Sequence, residues 1–135
     1  MLSLAHVCLN VNNLERSMEY YQKLGFHSKF KFTRNGMNFG NYLQICDGNY
    51  IELFENLDMV APVNTGLVHF CLENDDIDEL IKKLDSQGIS HTDKKLGCDH
   101  TWQIWLTDPD GNTFEVHQYT AESLQKLGGE VEADW

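Results

Sequence analysis

The 135-residue chain contains one pattern twice. Shifted by 63 positions, His6 falls on His69, Cys8 on Cys71, Leu14 on Ile77, Gly25 on Gly88, Phe26 on Ile89 and Glu52 on Glu115. The tripeptide Asp47-Gly48-Asn49 falls on Asp110-Gly111-Asn112 at the same shift. A single offset serves every pair, so the halves differ by no net insertion. Chance supplies one or two such matches, but not an ordered run across most of each half. The period is too long for a short solenoid repeat. It is one supersecondary unit present twice, and the fold must accommodate both copies.

Each copy reads as βαβββ. Residues 4–11 alternate and are β-prone, predicting a strand. Asn12 and Asn13 offer an N-cap, Leu14, Met18, Tyr21 and Leu24 recur at helical spacing, and Gly25 closes the helix. Strands follow at 26–33, 37–46 and 50–55, with turns at Asn35-Gly36 and Asp47-Gly48-Asn49. In the second copy the pattern predicts a strand at 67–72 and a helix capped by Asn74 or Asp75, with Ile77, Leu80, Ile81 and Leu84 on its buried face. A short strand at 89–92 and strands at 101–106 and 113–118 follow, with a last short helix at 121–127. The expectation is one α+β domain, 1–135, made of two βαβββ modules at about 1–56 and 66–120. The segment Asn56 to Thr65, with Pro62, would link them.

Two copies of such a unit can pair about a pseudo-twofold axis, which brings equivalent residues near the axis together. A duplicated His and a duplicated Glu at matched strand positions would then offer two imidazoles and two carboxylates to one point. His6, Glu52, His69 and Glu115 form a candidate site for one divalent first-row metal (Ni, Zn, Co, Mn or Fe), with water in the remaining positions. A lone strand histidine is ordinarily a core residue, and a strand glutamate ordinarily points to solvent. The shared offset of both residue types favours ligands instead.

Net charge is −11, a surface that repels phosphate backbones and anionic membranes, so no nucleic-acid or membrane partner is expected. The apolar runs are too short to span a bilayer. Residues 1–6 lack the marks of a secretory signal, so a cytoplasmic location is expected. The four cysteines form no CxxC pair and read as free, buried thiols.

Three stretches carry a family resemblance: His6 at the start; Asn13-Leu14-Glu15-Arg16-Ser17-Met18-Glu19-Tyr20-Tyr21 running to Leu24-Gly25-Phe26; and Asp108-Pro109-Asp110-Gly111-Asn112-Thr113-Phe114-Glu115. They resemble the vicinal oxygen chelate superfamily, whose fold is that of glyoxalases, bleomycin resistance proteins and dioxygenases. More narrowly they resemble its glyoxalase I (lactoylglutathione lyase) branch. The resemblance covers nearly the whole chain and implies the same four ligands. It implies a homodimer, because many members build the site between two chains. It also implies a lyase or isomerase acting on the hemithioacetal of a 2-oxoaldehyde and a thiol. There a carboxylate, Glu52 or Glu115, removes a proton, the metal stabilises the enediolate, and the proton returns to the adjacent carbon. Where glutathione-using members carry an arginine, four residues past the first ligand, this chain has Asn10. The resemblance therefore leaves the thiol open.

Other readings stand beside this one. An acyl-thioester epimerase needs the same proton abstraction, but would carry Gln at the position of Glu52. Extradiol dioxygenases keep three ligands, against four candidates here. A non-catalytic small-molecule or antibiotic-binding resistance protein would often lack a full ligand set. Cys8 and Cys71 share the strand face of the histidines, and His117, two residues past Glu115, reads equally as a pocket residue, a candidate proton shuttle, or as a partly exposed histidine at a strand end. His100, Trp102 and Trp105 would share one strand, His27 and His91 read as surface residues, and Glu79 and Lys83 as an exposed helical pair.

Overall fold

The computed structural model describes residues 4–58 and 68–133, which fall into two compact units. The first holds residues 4–58 with Asp108–Asp110, the second residues 68–107 and 111–133. Most of the expected linker, from residue 59 onward, and the start of the expected strand at Leu67 lie outside the described residues.

In the first unit, β1 (His6–Val11), α1 (Leu14–Lys23), β2 (His27–Arg34), β3 (Met37–Cys46) and β4 (Asn49–Glu55) form a sheet of order β1-β4-β3-β2. β1 runs parallel to β4 and the other pairings are antiparallel. Strand alternation sorts the residues by face. Leu9 and Val11 of β1 and Ile51 and Leu53 of β4 are buried together with Leu14 and Tyr21 of α1, which packs on β4. His6, Cys8, Tyr50, Glu52 and Phe54 occupy the alternate positions and so leave the opposite face.

The second unit repeats the order as β5-β8-β7-β6, from β5 (Phe70–Glu73), α2 (Ile77–Ser86), β6 (Lys95–Leu96), β7 (Trp102–Thr107) and β8 (Thr113–Gln118). Its core is Ile77, Leu84, Ile89, Ile104, Leu106, Phe114 and Val116, with Phe114 stacked on Phe70 at a centroid distance of 4.9 Å. A short α3 (Leu124–Leu127) follows. Among the described residues no helix is long and apolar enough to cross a membrane.

The duplication extends to details of the backbone. Asn13 accepts from Arg16 N and Asp76 from Glu79 N, so both helices start with a side-chain cap at matched positions. Asp76, not Asn74 or Asp75, is the second cap; Asn74 instead accepts from Asp76 N and shapes the turn before it. Gly48 and Gly111 both adopt positive φ, 79° and 85°, in the turns that lead into β4 and β8, a conformation most L-residues avoid.

Other expectations shift. The short strand expected at 89–92 is a single bridge between His91 and Leu106, and the edge strand is Lys95–Leu96 instead. Ile89 goes into the core after the helix, so the chain there cannot run along the sheet edge. His100 sits outside β7 with a left-handed φ of 62°, and α3 is shorter than expected. His91 is no free surface residue: its Nδ1 lies 2.7 Å from Thr92 O and its Nε2 3.2 Å from Asp85. Glu79 pairs with Lys82 rather than Lys83. Cys8, Cys46 and Cys71 are exposed rather than buried, Cys98 is half-buried, and all four thiols are free.

Candidate metal centre and its cavity

Within each unit the sheet brings its own histidine to its own glutamate. In the first, His6 Nε2 lies 3.3 Å from Glu52 Oε2; in the second, His69 Nε2 lies 3.2 Å from Glu115 Oε2. The cause is register. β1 and β4 align in parallel with His6 opposite Tyr50 and Cys8 opposite Glu52, and β5 and β8 set Cys71 opposite Glu115 in the same way. The histidine and the glutamate therefore leave the same sheet face, away from the helix.

These pairs fit a divalent cation. Neighbouring N and O ligands at about 2.0–2.2 Å from one ion stand roughly 3 Å apart, close to the separation found in both pairs. The side chains of His6 and His69 are 38% and 34% exposed and those of Glu52 and Glu115 17% and 13%, so each pair is partly open to solvent, chiefly at its histidine. Imidazole and carboxylate together suit first-row divalent metals. An ordinary ion pair uses the same spacing; its repetition at matched positions is what favours ligands.

Each histidine has an aromatic neighbour on the strand beyond that of its glutamate, again at the 63-residue offset. Tyr42 lies opposite Glu52 in register and its ring stands edge-on to His6, with Tyr42 Oη 3.4 Å from His6 Nδ1. Trp105 lies opposite Glu115 and stands edge-on to His69. Such neighbours fix ring orientation, as outer-shell partners of metal-binding histidines do.

Beyond these pairs the two units differ. In the first, Phe54 packs among Phe32 and Phe39, and Phe30 stacks on Tyr42 at 4.7 Å, giving an aromatic face. In the second, the position matching Phe54 is His117, whose Nε2 is 3.3 Å from Glu115 Oε2. The second unit also holds a cavity of about 660 Å³, lined by His69, Glu115 and His117 with Lys95, Gly97, Cys98, Asp99, Gln103, Trp105, Val68 and Val131. That volume suits a small organic molecule.

The cavity loop is held from the C-terminal side. Gln125 Nε2 donates to Asp99 Oδ2 at 2.6 Å, Leu124 N to Asp99 O at 3.1 Å, and buried Thr101 bonds Ser123 and Gln125. Burial opposes ionisation of Asp99, but the Gln125 and Thr101 hydrogen bonds and nearby His117 outweigh it and hold the carboxyl below its usual value. The clamp joins residues over 20 positions apart, so no local pattern in the sequence marks it.

The thiols beside the carboxylates are not activated nucleophiles. Though both residues are exposed, neighbouring atoms partly desolvate their sulfurs: this, then the charge of Glu52 and a hydrogen bond to it, push Cys8 up. Partial desolvation and the charge of Glu115 push Cys71 up to about 12. Both are protonated at neutral pH.

The Asp-Pro-Asp-Gly turn has a structural part in the first unit. Asp110 accepts from Asn12 N, Arg16 and Ser17 Oγ, and Asp108 accepts from Tyr21 Oη at 2.9 Å. Its carboxylates therefore anchor helix α1.

Comparison with known proteins agrees with this architecture. The sequence profile of one family, the Glyoxalase/Bleomycin resistance protein/Dioxygenase superfamily, matches residues 3–116. A trivalent organoarsenical cleaving enzyme of Bacillus sp. (strain MD1) is 29% identical over 90% of this chain and 76% of its own. A lactoylglutathione lyase of Neisseria meningitidis (strain Z2491) is 27% identical over 96% of this chain and 94% of its own. Among solved structures, a glyoxalase family protein from Enterococcus faecalis superposes with a TM-score of 0.75 at 25% identity, covering 86% of this chain and 97% of that one.

Proposed function

The chain belongs to the Glyoxalase/Bleomycin resistance protein/Dioxygenase superfamily, and from that membership we propose that it is a metal-dependent lyase of the glyoxalase type. Members of this superfamily are often enzymes and commonly use divalent metals. In this reading His6, Glu52, His69 and Glu115 together hold one divalent ion, in a homodimer of cytoplasmic chains. The substrate is the hemithioacetal of a 2-oxoaldehyde and a thiol.

The observation that carries the reading is the repeated His–Glu pair, 3.3 Å apart in one unit and 3.2 Å in the other. The likeness to a lactoylglutathione lyase over nearly the full length of both chains supports the choice of reaction. When bound, the metal supplies Lewis-acid stabilisation of negative charge on two neighbouring substrate oxygens. Glu52 or Glu115 removes the proton from the carbon bearing the hydroxyl and sulfur. It returns that proton to the adjacent carbon, the former carbonyl, while the hydroxyl proton passes to the former carbonyl oxygen, leaving a 2-hydroxy thioester. His6 and His69 hold position through Tyr42 and Trp105. The cavity beside Glu115 gives the substrate a partly enclosed place to sit.

The test is an assay of methylglyoxal with several thiols, after reconstitution with nickel, zinc, cobalt or manganese, alongside metal analysis of the protein. Turnover with at least one metal and one thiol is expected. No turnover with any combination, with less than one metal per two chains, would favour a binding protein instead.

A further inference from the structure

We propose that Cys71, Glu115 and His117 of the second unit form a divalent-metal site of mixed sulfur, oxygen and nitrogen donors, suited to a thiophilic cation and needing no residue of the first unit. The site shares Glu115 with the four-residue centre but does not depend on that reading.

Sheet geometry makes the cluster. Cys71 lies opposite Glu115 across the β5–β8 pairing, and His117 follows two residues along β8, so all three side chains leave one face. One ligand atom from each, Sγ, a carboxylate oxygen and a ring nitrogen, lies within 4.8 Å of the other two. Ligands around one zinc-sized ion, with metal–sulfur near 2.3 Å and metal–nitrogen near 2.0–2.1 Å, stand roughly 3.4–3.6 Å apart. Glu115 and His117 are already 3.3 Å apart, so small side-chain rotations close the set.

His117 itself points to a ligand. Its side chain is 12% exposed, and its Nε2 is buried with no aligned hydrogen bond, although Glu115 Oε2 is near. A buried ring nitrogen with a charged neighbour but no aligned hydrogen bond is under-satisfied, which native structures rarely leave so. A cation would use that lone pair.

The duplication supplies an internal control. Cys8 and Glu52 repeat Cys71 and Glu115, with the same register, but Phe54 stands where the second unit has His117. Phe54 is packed against Phe32 and Phe39 and offers no donor. The first unit keeps His6, Cys8 and Glu52 on the matching face, but among the described residues only Cys71, Glu115 and His117 bring three donor atoms within 4.8 Å of one another.

The donors decide which cation binds. Thiolate and carboxylate together balance the charge of a divalent ion. The thiolate favours zinc or cadmium over manganese, which prefers oxygen-rich sites. Binding deprotonates the coordinating thiol outright, so the Cys71 proton passes to solvent as the metal–sulfur bond forms.

The test is a Co(II) titration of the reduced full-length protein, following the near-ultraviolet thiolate-to-cobalt charge-transfer band. The band is expected in the native protein, in C8S and C98S, and in H6A/E52Q, which lacks the first unit's His–Glu pair. It is expected to vanish in C71S, and H117F should bind roughly 10- to 100-fold more weakly, at least the loss that follows removal of an outer-shell partner. If H117F misfolds, H117Q takes its place. In cadmium-loaded protein, the 113Cd resonance should move upfield in C71S as sulfur is lost. A band that survives in C71S, or never appears in the native protein, overturns the proposal. Methylglyoxal turnover without the band would sink this site alone, and the band without turnover would sink the glyoxalase reading alone.

Discussion

Trp105 meets His69 edge-on, ring centroids 4.8 Å apart and planes at 72°. Because Trp105 is also opposite Glu115 in the β7–β8 register, one indole borders both halves of the second unit's His–Glu pair. Replacing it by Ala should leave both donors in place but loosen the imidazole. The expected result is a metal affinity lower by about tenfold, with W105F retaining most of it, read by competition with a chromophoric chelator. Unchanged affinity in W105A would show that the ring merely walls the cavity.

Glu115→Gln and Glu52→Gln separate base from ligand. A glutamine keeps an oxygen near the metal but cannot take a proton. Whichever residue is the base should lose about 10²- to 10⁴-fold in kcat with bound metal retained. Both variants turning over normally with full metal would remove the proton-transfer role from these residues.

How much of this was legible in the sequence varies with how local the cause is. The strands at 37–46 and 113–118 follow from alternation and coincide with β3 and β8. The offset marks His6, Glu52, His69 and Glu115 as matched residues, but that each histidine meets its own glutamate comes from the parallel β1–β4 and β5–β8 register, which no local pattern in the sequence announces. The second helix cap was less readable because Asn74, Asp75 and Asp76 all have capping side chains, and only the turn made by Asn74 selects Asp76. The edge strand Lys95–Leu96 is two residues long and carries no period to detect. The Gln125–Asp99 clamp depends on the tertiary approach of distant segments.

Gly40 is fixed by its neighbour's ring. A Cβ there would come within 2.5 Å of Phe54 Cδ1 and 2.8 Å of Leu53 O, and the second of these is backbone. Gly40→Ala should therefore destabilise the first unit by about 1–3 kcal/mol, as overpacking does. Urea denaturation would measure it. An unchanged midpoint would mean that β3 and β4 separate without strain.

Acid should weaken the cavity loop through Asp99. Its carboxyl sits below the usual value in the folded protein, so it favours folding above the ordinary carboxylate pKa of about 3.9. That contribution fades as pH falls through the lower folded value. Denaturation midpoints of Asp99→Asn should accordingly depend less on pH below about 4 than those of the native chain. Parallel curves would assign the acid sensitivity elsewhere.

Each sheet reaches back to start its own helix. Glu55 Oε2 accepts from Leu14 N at 2.8 Å, and Gln118 Oε1 accepts from Ile77 N at 2.9 Å. These acceptors stand three residues beyond Glu52 and Glu115, on the same strands. A slip of one residue in either strand would turn the glutamate toward the helix and, in the same move, pull the acceptor from the amide it serves. Misalignment thus incurs two penalties at once, and the alignment that sets each glutamate beside its histidine is the one the scaffold itself enforces.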